Sequence, residues 1–363
     1  MADLSVKLFD FILKHPVMPA AGPPIKDAEA AAAAKKGGTA AVVTKTISTK
    51  AAEVPRPNMA QLKSGFINTE LWSEMGPDKW LNDEYPAIKE LGLPVIVGLG
   101  YSAEEISELA KKVEPFADAL ELSTHYLGSD PSPVVESVKA AKKAVDLPVL
   151  VKLSPQIEIA KFAQAAQKAG ADGLVLINSF GPTLDIDIES GRALMGSENG
   201  YGWLSGEAIF PLALRAVFEA VKAVEIPVIA VGGISTGEDA VKMIMAGAEA
   251  VQVCTTAILN GPAVYSKIAQ EIDSYLEKHN YNSLNEIRGI AQARVPTKAN
   301  YQTKAPEIIA ENCTGCRLCI ISCVYDANYL DEDKKIVIDE DKCAACGLCV
   351  TRCNFNALEF RWD

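Results

Sequence analysis

The feature that most constrains this chain is an alternation. Short β-branched runs recur along it, and most are followed by a stretch with the periodicity of an amphipathic helix. The runs are VMPAAG (17–22), AAVVTKT (40–46), PVIVGLG (94–100), DALELS (118–123), PVLVKLS (148–154), GLVLINS (173–179), PVIAVGG (227–233) and AVQVCTT (250–256). Between them lie segments such as AEEISELAKKV, SPVVESVKAAKKAV, IAKFAQAAQKAG and GEDAVKMIMAGA, several with a glycine near the end to cap a helix. Eight β-α units in roughly 250 residues predict a (β/α)8 TIM barrel. A doubly wound sheet shares the alternation, but it usually has fewer strands, and no G-x-G-x-x-G opens the first helix here.

Two connections are long, 47–93 and 180–226, and each leaves the C-terminal end of a strand. That end carries the active site in such barrels, so these segments are expected to cover or shape it; plain surface insertions are the alternative.

The rest of the chain reads differently. Of nine cysteines, eight fall from Cys313 onward, which marks a second domain; the division expected is 1–300 for the barrel and 301–363 for a small α+β unit like a bacterial ferredoxin. The cysteines form CTGCRLCIISC (Cys313, Cys316, Cys319, Cys323) and CAACGLCVTRC (Cys343, Cys346, Cys349, Cys353). In each C-x2-C-x2-C-x3-C run, three thiolates can grip a [4Fe-4S] cubane while the fourth crosses to the other cluster. Two clusters are therefore expected, one on Cys313, Cys316, Cys319 and Cys353, the other on Cys343, Cys346, Cys349 and Cys323. Paired zinc sites would leave thiolates over, and disulfides do not suit a cytosolic chain. The proline usual after the fourth cysteine is replaced by Val324 and Asn354, which removes no ligand. A unit this short can hardly fold on its own core, so cluster binding and folding should be coupled. Cys254, inside the eighth run, is expected to be a small buried core residue.

Composition narrows the class. Hydrophobic residues make up 49% and charged residues 23%, with no apolar run of the roughly 18 residues a membrane span needs. The N-terminus lacks the pattern of a secretory signal, so a cytoplasmic protein is expected. A net charge of −12 argues against nucleic acid as a partner.

Phosphate in a (β/α)8 barrel is commonly held after strands seven and eight; here Gly232 and Gly233 follow the seventh, and Cys254, Thr255 and Thr256 end the eighth. Lys45 and Lys152 sit at the ends of the second and fifth runs, and alternation points Lys152 into the barrel. Lysines inside a barrel want an anion. Joined to clusters that deliver single electrons, these features point to flavin mononucleotide, FMN, which couples single electrons to hydride chemistry.

The motifs AAGPP, TKTIS, GFINTELWSEMG, LELS, VKLSP, INS, GYGWLSGEAIFPLALRAV, VIAVGGI and VQVCTTAI, in this order before a twin-cysteine tail, resemble the dihydroorotate dehydrogenase superfamily. They are most similar to the FMN and ferredoxin portion of dihydropyrimidine dehydrogenase. The resemblance covers nearly the whole chain. It implies that backbone near Ala21 and Gly22, with Lys45, Lys152, Ser205, Gly206, Gly232, Gly233 and Thr255, binds FMN. It also implies that Asn68, Glu70, Asn178 and Ser179 hydrogen-bond a ring substrate beside it.

The chain leaves its relatives at LELSTHY (120–126). Where they carry an asparagine, this chain has Glu121, and where they carry a catalytic cysteine it has Thr124. Alternation turns Ala119, Glu121 and Ser123 inward, with Glu121 beside Lys152. Glu121 is then a counter-ion for that lysine, a group that tunes the flavin's charge, or a proton donor. Thr124 and His125 are the stronger candidates for the acid, and Tyr126 is a further one.

Three functions follow. The first moves electrons from the clusters through FMN to or from a C=C bond of a pyrimidine-like ring. The second applies the same chemistry to another cyclic or conjugated carbonyl compound, and the third is a non-catalytic electron-relay subunit. With no nucleotide-binding fingerprint in the chain, a partner subunit carrying FAD and binding NAD(P)H, or a soluble ferredoxin, is expected as electron donor or acceptor. A homodimer or a heterotetramer is the assembly that such barrels suggest.

Overall fold

The structure is a computed structural model that describes residues 2–155, 157–299 and 304–360. Two compact units are present, Met1–Arg294 and Val295–Asp363. The division expected between residues 300 and 301 lies outside the described residues.

In the first unit all eight runs contribute to one sheet. Its strands are β1 (Val17–Pro19), β2 (Val42–Val43), β3 (Val95–Leu99), β4 (Ala119–Ser123), β5 (Val149–Leu153), β6 (Gly173–Leu176), β7 (Val228–Val231) and β8 (Ala250–Val253). They pair in parallel in the order β1-β8-β7-β6-β5-β4-β3-β2. At the remaining seam the Ala40 amide donates to the Val17 carbonyl at 3.1 Å, which brings the ends of the sheet together as a nearly closed barrel.

Apolar sequence drives this closure. β3 and β5 are buried at every position, as strands covered on both faces must be. The covering helices show the matching stripe: Ala103–Val113 buries Ile106, Leu109, Ala110 and Val113, the i, i+3, i+4, i+7 set. Helix Ile159–Ala169 repeats it with Ile159, Phe162, Ala163 and Ala166 and stops at Gly170, whose φ of 102° ends the helix.

Strand ends differ from the sequence reading where the backbone turns to build the rim. β2 stops at Val43 because the Lys45 amide leaves the ladder for the Ile25 carbonyl, 3.0 Å away. β7 stops at Val231 because Gly232 and Gly233 take φ values of 126° and 75°. The largest correction is at β8. Cys254 breaks the extended backbone, and Thr255 and Thr256 open a short helix, Thr255–Asn260, instead of ending a strand.

The two long connections pair with each other. Phe180–Thr183, Gly202–Ser205, Gly65–Asn68 and Met59–Leu62 form a four-stranded antiparallel sheet in that order, with Trp203 opposite Asn68 and Ser205 opposite Phe66. Plain insertions are thereby ruled out, since the sheet supplies wall residues to the central cavity. Periodicity could not reveal these strands: MAQL, GFIN, FGPT and GWLS are too short and too mixed.

The second unit is built twice over. Two antiparallel pairs, Glu307–Ile308 with Leu358–Glu359 and Asn328–Leu330 with Ile336–Ile338, accompany two short helices, Leu318–Ile321 and Leu348–Arg352. Equivalent positions in the halves share left-handed backbone: Gly315 and Ala345 at φ 68° and 50°, Arg317 and Gly347 at 67° and 83°, Asp326 and Asn356 at 51° and 52°. Its buried apolar cluster consists of Ile336, Cys349 and Leu358. A core that small cannot outweigh the chain entropy of ordering the unit.

Candidate active site

The C-terminal ends of the barrel strands and the antiparallel sheet enclose a cavity of about 970 Å³, measured out to its open mouth. Ala21 and Gly22 line it after β1, Lys45 after β2, Lys152 on β5, and Asn178 and Ser179 after β6. Gly232 and Gly233 follow from β7 and Thr255 from the helix after β8, while Asn68, Glu70, Ser205 and Gly206 come from the long connections. His125 also reaches the wall, whereas Glu121 and Thr124 do not.

Charge inside the cavity is arranged in pairs. Lys45 Nζ is joined to Glu70, whose other oxygen accepts from Asn58 Nδ2 at 2.5 Å. Lys152 Nζ lies 3.3 Å from Glu121 Oε1, and Glu121 Oε2 accepts from Gln252 Nε2 at 2.6 Å. Glu121 is wholly buried behind the lysine, so its observed place is that of a counter-ion, two residues below the Ser123–Lys152 register pair. Among the described residues no arginine lines the cavity.

The strand-four segment divides its groups. Tyr126 turns away, its ring 6.4 Å from Phe162 of the outer helix. His125 turns in, on a backbone with φ 48°, a conformation that non-glycine residues keep only where their surroundings enforce it. Its ring stands 5.4 Å from Tyr101 and 6.2 Å from Trp203. Burial, then the charges of Lys152 and Lys45, push the imidazole down to about 4.

Two wall groups escaped the sequence reading. Tyr101 follows β3 directly, and Glu105 fixes it by accepting its amide at 3.1 Å. Burial opposes the charge on Glu105, but hydrogen bonds from Ser48, Ser102 and Tyr101 outweigh it and hold the carboxyl at about 2. The only signal for Tyr101 was an aromatic side chain at a strand's C-terminal end. Gln252, inside β8, gave none. Cys254 is corrected too, since it lies on the cavity wall and not in the core, its Sγ 3.1 Å from where a side chain on Gly22 would begin.

Comparison with known proteins accords with this arrangement. The family model described as "Dihydroorotate dehydrogenase" matches residues 3–276. The chain belongs to the dihydroorotate dehydrogenase family. Curated relatives named "Dihydroorotate dehydrogenase B (NAD(+)), catalytic subunit" include that of Methanothermobacter thermautotrophicus, 34% identical over 301 residues, covering 79% of this chain and 98% of the relative. Those of Pyrococcus horikoshii and of Geobacter sp. strain M21 are 36% and 35% identical, with 79% of this chain and 97% of each relative covered. This family member is thus an oxidoreductase of the dihydroorotate dehydrogenase type. About a fifth of it lies beyond those relatives, and residues 312–357 match a "4Fe-4S dicluster domain".

In that domain the thiols stand around two voids. Cys313, Cys316, Cys319 and Cys353 line one of about 300 Å³, and Cys323, Cys343, Cys346 and Cys349 line another of about 320 Å³. Among the described residues no three ligating groups converge as they would on a single metal ion. Thiols set around a space suit a cubane better than a lone zinc ion, which draws four sulfurs to about 2.3 Å. The amides of Ala327 and Ala357 donate to Cys323 and Cys353 Sγ at 3.4 and 3.2 Å, equivalent contacts in the two halves.

The barrel cavity likewise fits a flavin. Gln252 Oε1 is buried without a hydrogen-bond partner, an acceptor that a ring N–H would satisfy. Side chains cannot replace Gly232 and Gly233: a Cβ there would meet Ala213 at 2.8 Å and Phe210 at 2.7 Å, so the turn offers bare backbone toward the cavity. Beside it, Ser205 Oγ and Thr255 Oγ1 are paired at 2.8 Å, two hydroxyls able to reorient toward a phosphate.

Proposed function

We propose that this chain is an FMN-dependent oxidoreductase with two [4Fe-4S] clusters, acting on a C=C bond in an uncharged, pyrimidine-like ring. Bound flavin would supply the conversion between single electrons and a hydride. Lys45, Lys152, Gln252 and the glycine turn would hold it, Asn68 and Ser179 would orient the substrate, and the two cysteine sets would hold the clusters. Electrons would be exchanged with an NAD(P)H-binding FAD subunit or a soluble ferredoxin.

The observation that carries the substrate class is the pairing of charge. Both cavity lysines already face carboxylates of this chain, His125 is held neutral, and no arginine among the described residues lines the cavity. A ring carboxylate entering this site would lose its water without gaining a counter-charge, at a cost of several kcal/mol. That separates the expected substrate from dihydroorotate, which is an anion, and favours a neutral dihydropyrimidine.

The absence of a thiol at Thr124 favours the alternative that another cyclic enone is the substrate. The test is anaerobic reoxidation of the photoreduced protein, after its flavin and iron have been measured. Uracil or thymine should restore the flavin absorbance and orotate should not. Reoxidation by orotate would overturn the proposal; reoxidation by a cyclic enone alone would move it to the alternative.

A further inference from the structure

The Asn178 side chain is oriented by its own neighbour. Its Oδ1 accepts the Ser179 backbone N–H at 2.9 Å, so Nδ2 is the end that faces His125 Nε2 at 3.0 Å and Ser123 Oγ at 3.4 Å. An amide nitrogen offers only hydrogens, so the imidazole nitrogen opposite it must be the bare one. The proton of the neutral ring then sits on Nδ1. Protonating Nε2 would set two donors against each other and break the polar contact with Asn178.

The groups around the imidazole favour the same state. Lys152 from β5 and Lys45 after β2 are cations, and their carboxylates, Glu121 and Glu70, are engaged by them. On the β3 side stands Tyr101, whose phenol keeps its proton because burial, and then the charge of Glu105, raise its pKa. Trp203 closes the remaining side with an uncharged ring. Burial and the two lysines hold the imidazole down to about 4. Position is enforced as well, by two aromatic neighbours and a left-handed backbone.

We propose that His125 serves as a fixed, neutral hydrogen-bond donor through Nδ1–H to the carbonyl oxygen of the substrate, and that it transfers no proton. The proposal rests on the reading of the cavity as a site for a C=C bond conjugated with a carbonyl. In the reducing direction bound flavin would supply a hydride to the β-carbon, the C=C electron pair would move onto the carbonyl oxygen as an enolate, and one proton would complete the α-carbon. Charge grows on that oxygen only as the transition state forms, which is where a preorganised donor accelerates the step. A neutral imidazole can do this without first being protonated, in a site whose burial is the main obstacle to its taking up a charge. The proton for the α-carbon then comes from a source other than His125.

The tautomer can be read without turnover, so a wrong substrate class leaves this outcome untouched. In flavin-loaded protein with ¹⁵N-labelled histidine, the His125 signals, assigned by their loss in His125→Asn, should show Nδ1 protonated and Nε2 bare. They should not change between about pH 5.5 and about pH 8, the range in which an unperturbed histidine titrates. Asn178→Asp replaces the donor by an acceptor and should bring His125 into that range. Once a substrate is in hand, His125→Leu should lower kcat by about 100- to 1000-fold, the effect of losing one such donor. His125→Asn, which restores an N–H, should lose less, and neither should alter the pH profile. A proton on Nε2, a His125 titration within that range in the unaltered protein, or a kcat limb that vanishes in His125→Asn would overturn the proposal.

Discussion

In the barrel unit, Glu121 and Lys152 are sunk in a wall of buried strands, and each is held by neighbours from other strands. In the cysteine unit, four-thiol sets surround voids and the apolar cluster comes to Ile336, Cys349 and Leu358. The barrel has its site because it has a core: buried Val, Ile and Leu side chains, each contributing roughly 1.5–3 kcal/mol, position polar groups that would not gather unaided. The cysteine unit inverts this, since the ligand it binds must supply what its core does not. Polar groups are the dependants of packing in one unit and its substitute in the other.

The contrast breaks most visibly on removal of iron. Chelation under reducing conditions, or Cys349→Ser, should unfold the cysteine unit, exposing 304–360 to limited proteolysis, while the thermal transition of the barrel persists. If the iron-free unit resists protease, its fold does not depend on clusters and the contrast fails. The barrel pair should give the next largest effect. Lys152→Met leaves Glu121 charged, buried and without its cation, which costs about 3–5 kcal/mol, whereas Lys152→Met with Glu121→Gln should recover most of it. Denaturant midpoints of the two variants check this, and equal midpoints would show that the pair does not act as a unit.

The smallest effect follows pH. His125 takes up a proton near 6.5 when unfolded and at about 4 when folded, so between those values the unfolded state binds more protons. Stability due to this group is therefore full above about 6.5 and declines as the pH falls toward 4. The loss is about 2 kcal/mol once partial exposure of the ring is allowed for. His125→Asn should remove that slope, measured as the difference in urea midpoint between the two proteins at about pH 7 and about pH 5. An unchanged slope would mean that the ring is not held neutral.

Much of this was legible in the residues. Runs such as PVIVGLG and PVLVKLS could only be strands buried on both faces, and the doubled C-x2-C-x2-C-x3-C fixed which thiols would stand together. Glu121 could be placed beside Lys152 from alternation alone, because a strand allows each side chain only two directions. The reading failed where backbone leaves regular structure. Cys254 was assigned to the core because nothing in AVQVCTT announces that the strand ends at Val253. Tyr101 went unnoticed because a lone aromatic after a strand is commonplace.

Sequence by itself determined the barrel, the cysteine sets and the lysines at the strand ends, since periodicity and spacing along one chain are enough to specify them. Only the tertiary structure decided which charges cancel and which nitrogen of His125 carries its proton. Those depend on contacts such as Gln252 with Glu121 and Asn178 with His125, made between residues 131 and 53 positions apart. Hydrogen-bond direction is settled by the partner across the cavity, and no local pattern encodes that partner.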